Sequence, residues 1–432
     1  MRIAFVAQPF DRMTPPVEGG SLAMWISQAA KICCRRGHAT FVFGNHGGRF
    51  GTMRANDEGV QHIFTPTGRN SAMNKLNGAA ARISTRFGWN RTAQQEFAAN
   101  WLDRGYAKEV GRRTREFGAD IIQVMNYSQF VPVIRKENPE CRISLHMQCE
   151  WLTQLDRTLI EQRISKADLI VGCSEYITRT IAKHFPQFEE RCVTVPNAAH
   201  VTTEDDRGRT DPGHVLFVGR VSPEKGVHDL VRAFHEVLRR FPEARLHIVG
   251  GVGSAPYEYM VGLSDDPHVT ALRVFYEEKG DGVKDPYGVW LEREAGEELG
   301  KRILFEGRIP HSDLAKYYER SAVLVNPSLS ESFGITLVEA MMRRVPVVAT
   351  RVGGMTYTVD HGVTGLLVDP ADPPALASAI CGILGDRGKA RRMGEAGRRK
   401  AIEMFSWEKT IDILLGHFER VVHGRGKIGA CG

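Results

Sequence analysis

Residues 2–7 read as a strand whose positions after Arg2 are all apolar, and behind Gly19-Gly20 the stretch from Ser21 to Cys33 repeats apolar residues at helical spacing. Short apolar runs of this kind read as strands buried on both faces, and the 3.6-residue repeat as an amphipathic helix that covers them. Strand-like runs recur at 39–44, 120–125, 142–146, 169–172 and 192–195, with helical patterns between most of them. Residues 197–213 are polar and hold Gly208 and Pro212, the composition of a linker. The alternation then restarts with strand 214–218, helix 227–240, strands 245–249 and 303–306, helix 314–320, strand 322–326, helix 335–342 and strand 345–349. Strands alternating with helices predict parallel sheets with crossover connections. Two such runs on either side of one linker predict two Rossmann-like halves with a ligand cleft between them.

Two segments break the rhythm. Residues 251–296 are long, polar and rich in Gly, Asp and Tyr, and are expected to form an insertion with a helix or two over the second half. Residues 69–91 set Arg69, Lys75, Arg82, Arg86 and Arg91 beside Leu76, Ile83, Phe87 and Trp89, the pattern of a basic amphipathic segment.

Composition narrows the class. A chain of 432 residues, 42% hydrophobic and 25% charged, is an ordinary globular protein of two or three domains. No run approaches the length of a membrane span, and the first strand lacks the apolar centre of a secretory signal, so a cytoplasmic location is expected. The eight cysteines include no Cys-x-x-Cys pair and no histidine at zinc-finger spacing, which fits reduced, mostly buried thiols. Charge is uneven: residues 1–200 hold 26 Lys+Arg against 18 Asp+Glu, whereas 201–432 hold 31 against 33. A solvated basic face is the plain reading of that excess. The functional one is an anionic partner, and the segment 69–91 would then make weak contact with an anionic membrane surface or line an acceptor groove, with nucleic acid not called for.

The most informative stretch is Val325-Asn-Pro-Ser-Leu-Ser-Glu331-Ser-Phe-Gly334-Ile-Thr-Leu-Val-Glu339. A strand ends at Asn326-Pro327, a loop carries Glu331, and Gly334 opens a helix whose unpaired amides suit a phosphate. Glu331 and Glu339 could accept hydrogen bonds from hydroxyls of a ligand anchored there, as a nucleotide sugar would offer. Either acid alone would pass for a solvated loop residue or a helix-dipole partner. Gly219-Arg220 ends another buried strand, and Lys225-Gly226 follows at a helix start. A guanidinium and an ammonium at a strand end are placed to neutralise a departing diphosphate. Val249-Gly-Gly-Val-Gly253 lacks the third spaced glycine and acidic partner of a dinucleotide site, which disfavours a nicotinamide enzyme. Asp205-Asp206 and Asp265-Asp266 lie in polar loop-like runs and read as solvated rather than metal-binding.

Together, Gly219-Arg220…Lys225-Gly226, the Glu331/Glu339 pair, Phe333-Gly334, and Pro346-Val-Val-Ala-Thr…Gly353-Gly354 resemble the signature of family-4 retaining glycosyltransferases of the GT-B fold. The resemblance extends to the Gly19-Gly20 loop, His146 at a strand end, Ser174, Pro196-Asn197 and Phe405-Ser-Trp407-Glu. It implies an α/β fold of two Rossmann-like domains with parallel sheets facing across a central cleft. Residues 1–200 would be the acceptor side, 201–400 the nucleotide-sugar side with the 251–296 insertion, and 401–432 a helix crossing back to the first domain, followed by a tail.

The resemblance also implies roles. Arg220 and Lys225 would bind the diphosphate, with Gly219 beside them. Glu331 would contact the donor sugar, Phe333, Gly334 and Ile335 would present amides, and Glu339 would hold the ribose. Gly19 and Gly20 would approach the donor from the first domain, His146 would orient its sugar, and the main chain at Arg308-Ile309 would meet the base. The implied activity is retaining transfer of a sugar from a nucleoside-diphosphate sugar to an acceptor hydroxyl, without metal or further cofactor. A phosphorylase, a synthase that accepts a sugar phosphate, and a catalytically idle binding protein remain as alternatives. Two features depart from the family pattern: Pro196-Asn-Ala-Ala-His200 replaces the usual Pro-Asn-Gly-Val-Asp, and the 251–296 insertion is long.

Overall fold

Chain contacts divide the protein into two units, Met1–Val195 with the C-terminal segment from Thr410, and Pro196–Lys409. The computed structural model describes residues 1–17, 20–45, 53–65, 95–202, 210–277 and 286–424. The basic segment 69–91 and Gly19 therefore lie outside the described residues. The second division falls beyond 401 because helix Arg387–Phe405 packs on helix Ile335–Met342 of the second unit.

The first unit is built on an eight-stranded sheet of β1 (Arg2–Val6), β2 (Ala39–Asn45), β3 (Met53–Asp57), β4 (Val60–Thr65), β5 (Ile121–Met125), β6 (Arg142–Met147), β7 (Leu169–Gly172) and β8 (Cys192–Thr194). Its order is β3-β4-β2-β1-β5-β6-β7-β8. All pairings are parallel except β3 with β4, a hairpin closed by Glu58 and Gly59. That hairpin was not expected. Met53-Arg-Ala-Asn-Asp57 is a polar edge strand, exposed or half-buried at every position, so it carries no apolar signal. Helices α1 (Ser21–Arg35), α2 (Arg104–Glu116), α3 (Phe130–Glu137), α4 (Arg157–Ile164) and α5 (Glu175–His184) accompany the sheet. The buried Ala23, Ile26, Ala29, Ala30 and Cys33 form the inward stripe of α1 that the sequence repeat foretold.

The second unit has six parallel strands in the order β11-β10-β9-β12-β13-β14, comprising β9 (His214–Val218), β10 (Arg245–Val249), β11 (Ile303–Gly307), β12 (Val323–Asn326), β13 (Val347–Thr350) and β14 (Gly365–Val368). Its helices of seven residues or more are α6 (Val227–Arg240), α7 (Pro286–Ala295), α8 (Leu314–Arg320), α9 (Ile335–Met342), α10 (Pro373–Leu384) and α11 (Arg387–Phe405), and α12 (Trp407–His423) follows. Val227, Leu230, Val231, Phe234 and Val237 of α6 share one core with Val215 and Phe217 of β9, Ile248 of β10 and Val325 of β12. Tyr287, Leu291 and Ala295 of α7 join it, so the later part of the insertion is core as well as cover.

Strand order reverses between β9 and β12, which are hydrogen-bonded neighbours. The crevice at the carboxyl ends of such a pair is where open α/β sheets take their ligands. Gly226 lets the two connections meet there: its φ is +66°, and a Cβ would run into the Pro327 carbonyl. Gly226→Ala should lower stability by about 1–3 kcal/mol, the usual range for a forced left-handed residue. Gly253→Ala, with open space around it and ordinary backbone, should change it by no more than about 0.5 kcal/mol. Thermal melts of the two variants side by side check this.

Candidate donor-binding site in the second unit

The segments after β9 and β12 bring the two motif groups together. Lys225 Nζ donates to Glu331 Oε2 at 2.7 Å, a pair 106 residues apart in sequence. Their side chains keep only 22% and 18% of their surface in water. Burial pushes the Glu331 carboxyl up, but the Lys225 ammonium and the Phe333 and Gly334 amides more than offset it and hold the acid below its usual range. Glu331 is therefore an anion with one oxygen on a cation and the other, Oε1, 3.4 Å from the Phe333 amide.

Arg220 leaves Gly219 at the end of β9, where the Gly219 amide donates to the Val249 carbonyl at 2.9 Å. Its guanidinium donates to Glu224 Oε1 at 2.7 Å and to the Ser222 hydroxyl at 3.3 Å. Glu224 was not singled out from the sequence. The available signal was an acid four residues after Arg220 and directly before Lys225, which reads as a surface charge until the fold shows it fully buried.

Helix α9 begins at Ile335 behind Gly334, whose φ of +83° reverses the chain and which, as the N-cap, offers no side chain to the amides of the first turn. Phe333 anchors this turn: it is 2% exposed, and its ring meets Phe405 edge-on with centroids 5.4 Å apart. Ile335 follows half-buried, and Glu339 lies one turn further along the helix. Both Glu339 oxygens are engaged, Oε2 by the Tyr318 hydroxyl at 2.6 Å and Oε1 by His311 Nε2 at 3.0 Å. The bond to Glu339 raises the basicity of His311 against the opposing effect of burial. Sequence reasoning missed His311 and Tyr318. Tyr318 sits on α8 and His311 just past Ile309, and neither is near Glu339 along the chain. Arg308 is exposed and follows β11 beside Gly251, with Ile309 half-buried next to it.

The remaining expected residues belong to the first unit. Gly20 caps the start of α1 with φ +81°, a conformation that disfavours any side chain. His146, in β6, is completely buried. The side-chain amides of Gln123 and Gln148 lie 3.3 and 3.1 Å from its two ring nitrogens, and Trp25 packs edge-on at 4.7 Å. Burial lowers its pKa to about 3, so the ring is neutral. It is an enclosed, fully packed side chain rather than one open to a ligand.

Residues 203–400 match the family model described as Glycosyl transferases group 1. The chain is 32% identical over 286 residues to the D-inositol 3-phosphate glycosyltransferase of Nocardia farcinica, covering 62% of this chain and 57% of that one. It spans about half the length of such curated relatives. Among solved structures, sucrose-phosphate synthase of Thermosynechococcus elongatus superposes with a TM-score of 0.67 at 21% identity, over 99% of this chain and 100% of that one. The UDP-forming α,α-trehalose-phosphate synthase of Burkholderia xenovorans, solved with glucose-6-phosphate, gives 0.69 at 15% identity, over 98% and 100%. The fold is the GT-B double Rossmann architecture. The site described above lies within the residues 203–400 that match the group 1 glycosyl transferase model.

Because the folded-state pKa of Glu331 is lowered, its pair with Lys225 stabilises the protein above the ordinary carboxyl value of 4.5 and is lost as pH falls through the lower folded value. Lys225→Ala should therefore destabilise by about 2–3 kcal/mol near neutrality, at or just below the range for breaking a fully buried pair because this one keeps about a fifth of its surface in water. The difference from wild type should shrink below pH 4.5. Melting curves of both proteins from acid to neutral pH measure it.

Proposed function

We propose that the protein is a retaining glycosyltransferase that moves a sugar from a nucleoside-diphosphate sugar to an acceptor hydroxyl and needs no metal. The observation that carries this reading is the Lys225–Glu331 pair beside the uncapped start of α9. It sets a cation, an anion and the amides of a helix start together in a domain that matches the group 1 glycosyl transferase model. The amide of Ile335, and that of Gly334 once it leaves Glu331, would receive the phosphates. Glu339 would take the ribose hydroxyls, with Tyr318 keeping its hold on one oxygen while the more exposed His311 gives way. Glu331 would hold a hydroxyl of the transferred sugar. Arg308-Ile309 would meet the base through its main chain.

In the reaction the bond between the anomeric carbon and the phosphate oxygen breaks and the diphosphate takes the electron pair. The acceptor oxygen attacks from the same face, and its proton passes to the departing phosphate, so no side chain acts as general base. Arg220 and Lys225 supply fixed positive charge where negative charge grows, which lowers the barrier more than it tightens ground-state binding. They fill the role a metal would otherwise serve.

A second reading concerns the acceptor: a hydroxyl of a phosphorylated sugar or polyol. It is supported by the names of the relatives and by the excess of 26 Lys+Arg over 18 Asp+Glu in residues 1–200. Product formation with hexose 6-phosphates and inositol phosphates, but not with their dephosphorylated forms, is the expected result.

Thermal shift with UDP, GDP and ADP identifies the base, since a ligand that binds only the folded state raises the melting temperature. With the donor in hand, Arg220→Ala and Lys225→Ala should each lower kcat by about 10²–10³-fold and change KM little. Near-normal turnover in both removes the leaving-group role. Calorimetry separates the two acids: Glu339→Ala should weaken the free diphosphate, whereas Glu331→Ala should spare it and weaken only the intact sugar donor. Equal losses would mean the acids are misassigned.

A further inference from the structure

The earlier part of the insertion is packed onto the candidate donor site. Val261, Val269 and Leu272 bury against Leu329, with Tyr276 at the edge of the cluster. Leu329 precedes Glu331 by two residues, and its amide donates to the Glu224 main-chain carbonyl at 2.8 Å. Insertion, acidic loop and the segment bearing Arg220 and Lys225 are thus one packed body.

Glu224 stands at its centre. The side chain is fully buried, and Oε1 accepts from the Arg220 guanidinium at 2.7 Å and the Ser222 hydroxyl at 2.6 Å. Among the described residues, Oε2 is shut from solvent and accepts nothing, while the hydroxyl of Tyr276, also shut from solvent, donates to nothing. An orphan acceptor on a buried carboxylate and an orphan donor nearby are each unfavourable, and they are the natural partners for one another. Burial, and then the charge of Glu224, push the Tyr276 phenol up to about 12 against the opposing Arg220, so it keeps its proton and remains a donor near neutral pH.

We infer that Glu224 is a positioning residue: one oxygen fixes the Arg220 guanidinium for the donor diphosphate, and the other takes the Tyr276 hydroxyl, directly or through one water. The insertion thereby becomes part of the donor site. This rests on the reading of Arg220 as a diphosphate ligand. Without Tyr276 the carboxylate is less constrained and Arg220 loses its fixed aim. Without the carboxylate the guanidinium has only Ser222 among these partners.

The test uses the full chain and calorimetry with whichever of UDP, GDP and ADP the wild type binds, beside the matching nucleoside monophosphate. The ratio of the two affinities isolates the terminal phosphate, which a merely structural role would not alter. Tyr276→Phe should weaken the diphosphate by about three- to tenfold, less than a full charge-assisted bond because the hydroxyl acts on the phosphate only through Glu224 and Arg220. Glu224→Gln should weaken it by about tenfold or more, since a charged partner is lost. Both should leave the monophosphate affinity unchanged. In an Arg220→Ala background, Glu224→Gln should add nothing, because its effect passes through Arg220. A ratio unchanged in both variants but reduced by Arg220→Ala overturns the positioning role and leaves the donor-site reading standing. A ratio unchanged in Arg220→Ala removes that reading and this inference together. If Glu224→Gln does not fold, Tyr276→Phe decides alone, since it removes a single hydroxyl and keeps the packed ring, and an unchanged ratio there overturns the proposal.

Discussion

The ion pair between Lys225 and Glu331 is the constraint on which the rest of the site depends. It ties the connection after β9 to the connection after β12 across the place where the strand order of the second unit reverses. Gly226 makes room for it, since a side chain there would meet the Pro327 carbonyl. The pair also keeps Glu331 ionised despite its burial. An acid without that cation would take up a proton or turn outward, and the loop leading to α9 would lose its fixed course. Gly334, the uncapped amides and Glu339 all lie downstream of that loop.

The polar groups of this site are largely satisfied before any ligand arrives. Glu331 has Lys225, Arg220 has Glu224, and Glu339 has Tyr318 and His311. Preorganised charge costs little reorganisation at the moment of reaction, which is the physical advantage of such an arrangement. The exchanges asked of a nucleotide are modest. Lys225 can share its three protons between carboxylate and phosphate, and His311 lies at the exposed side of Glu339. The exceptions are the unpaired oxygen of Glu224 and the hydroxyl of Tyr276.

Most of the central strands were legible in the sequence because parallel strands buried on both faces are continuous apolar runs, and β9, β10 and β12 fall within a residue of the expected bounds. The β3–β4 hairpin was not legible, because its outer strand is polar, and β14, only four residues long, was overlooked. Arg220, Lys225, Glu331 and Glu339 could be picked out because each sits at a strand end or helix start with glycine nearby. Glu224, Tyr318, His311 and Tyr276 could not. Their roles come from contacts that the fold creates between distant or unremarkable positions, and no local spacing encodes them. His146 shows the opposite limit: its place at a strand end was right, but sequence alone could not tell that Gln123, Gln148 and Trp25 would enclose it.

A crystal structure of the protein with its nucleoside diphosphate bound tests the central claim most directly. The account predicts the phosphates at the start of α9 within hydrogen-bond reach of Lys225 and Arg220. It also predicts the ribose hydroxyls on Glu339, with His311 displaced and Tyr318 still in place. A nucleotide bound elsewhere, or one whose phosphates avoid both cations while the Lys225–Glu331 pair stays undisturbed, would contradict it.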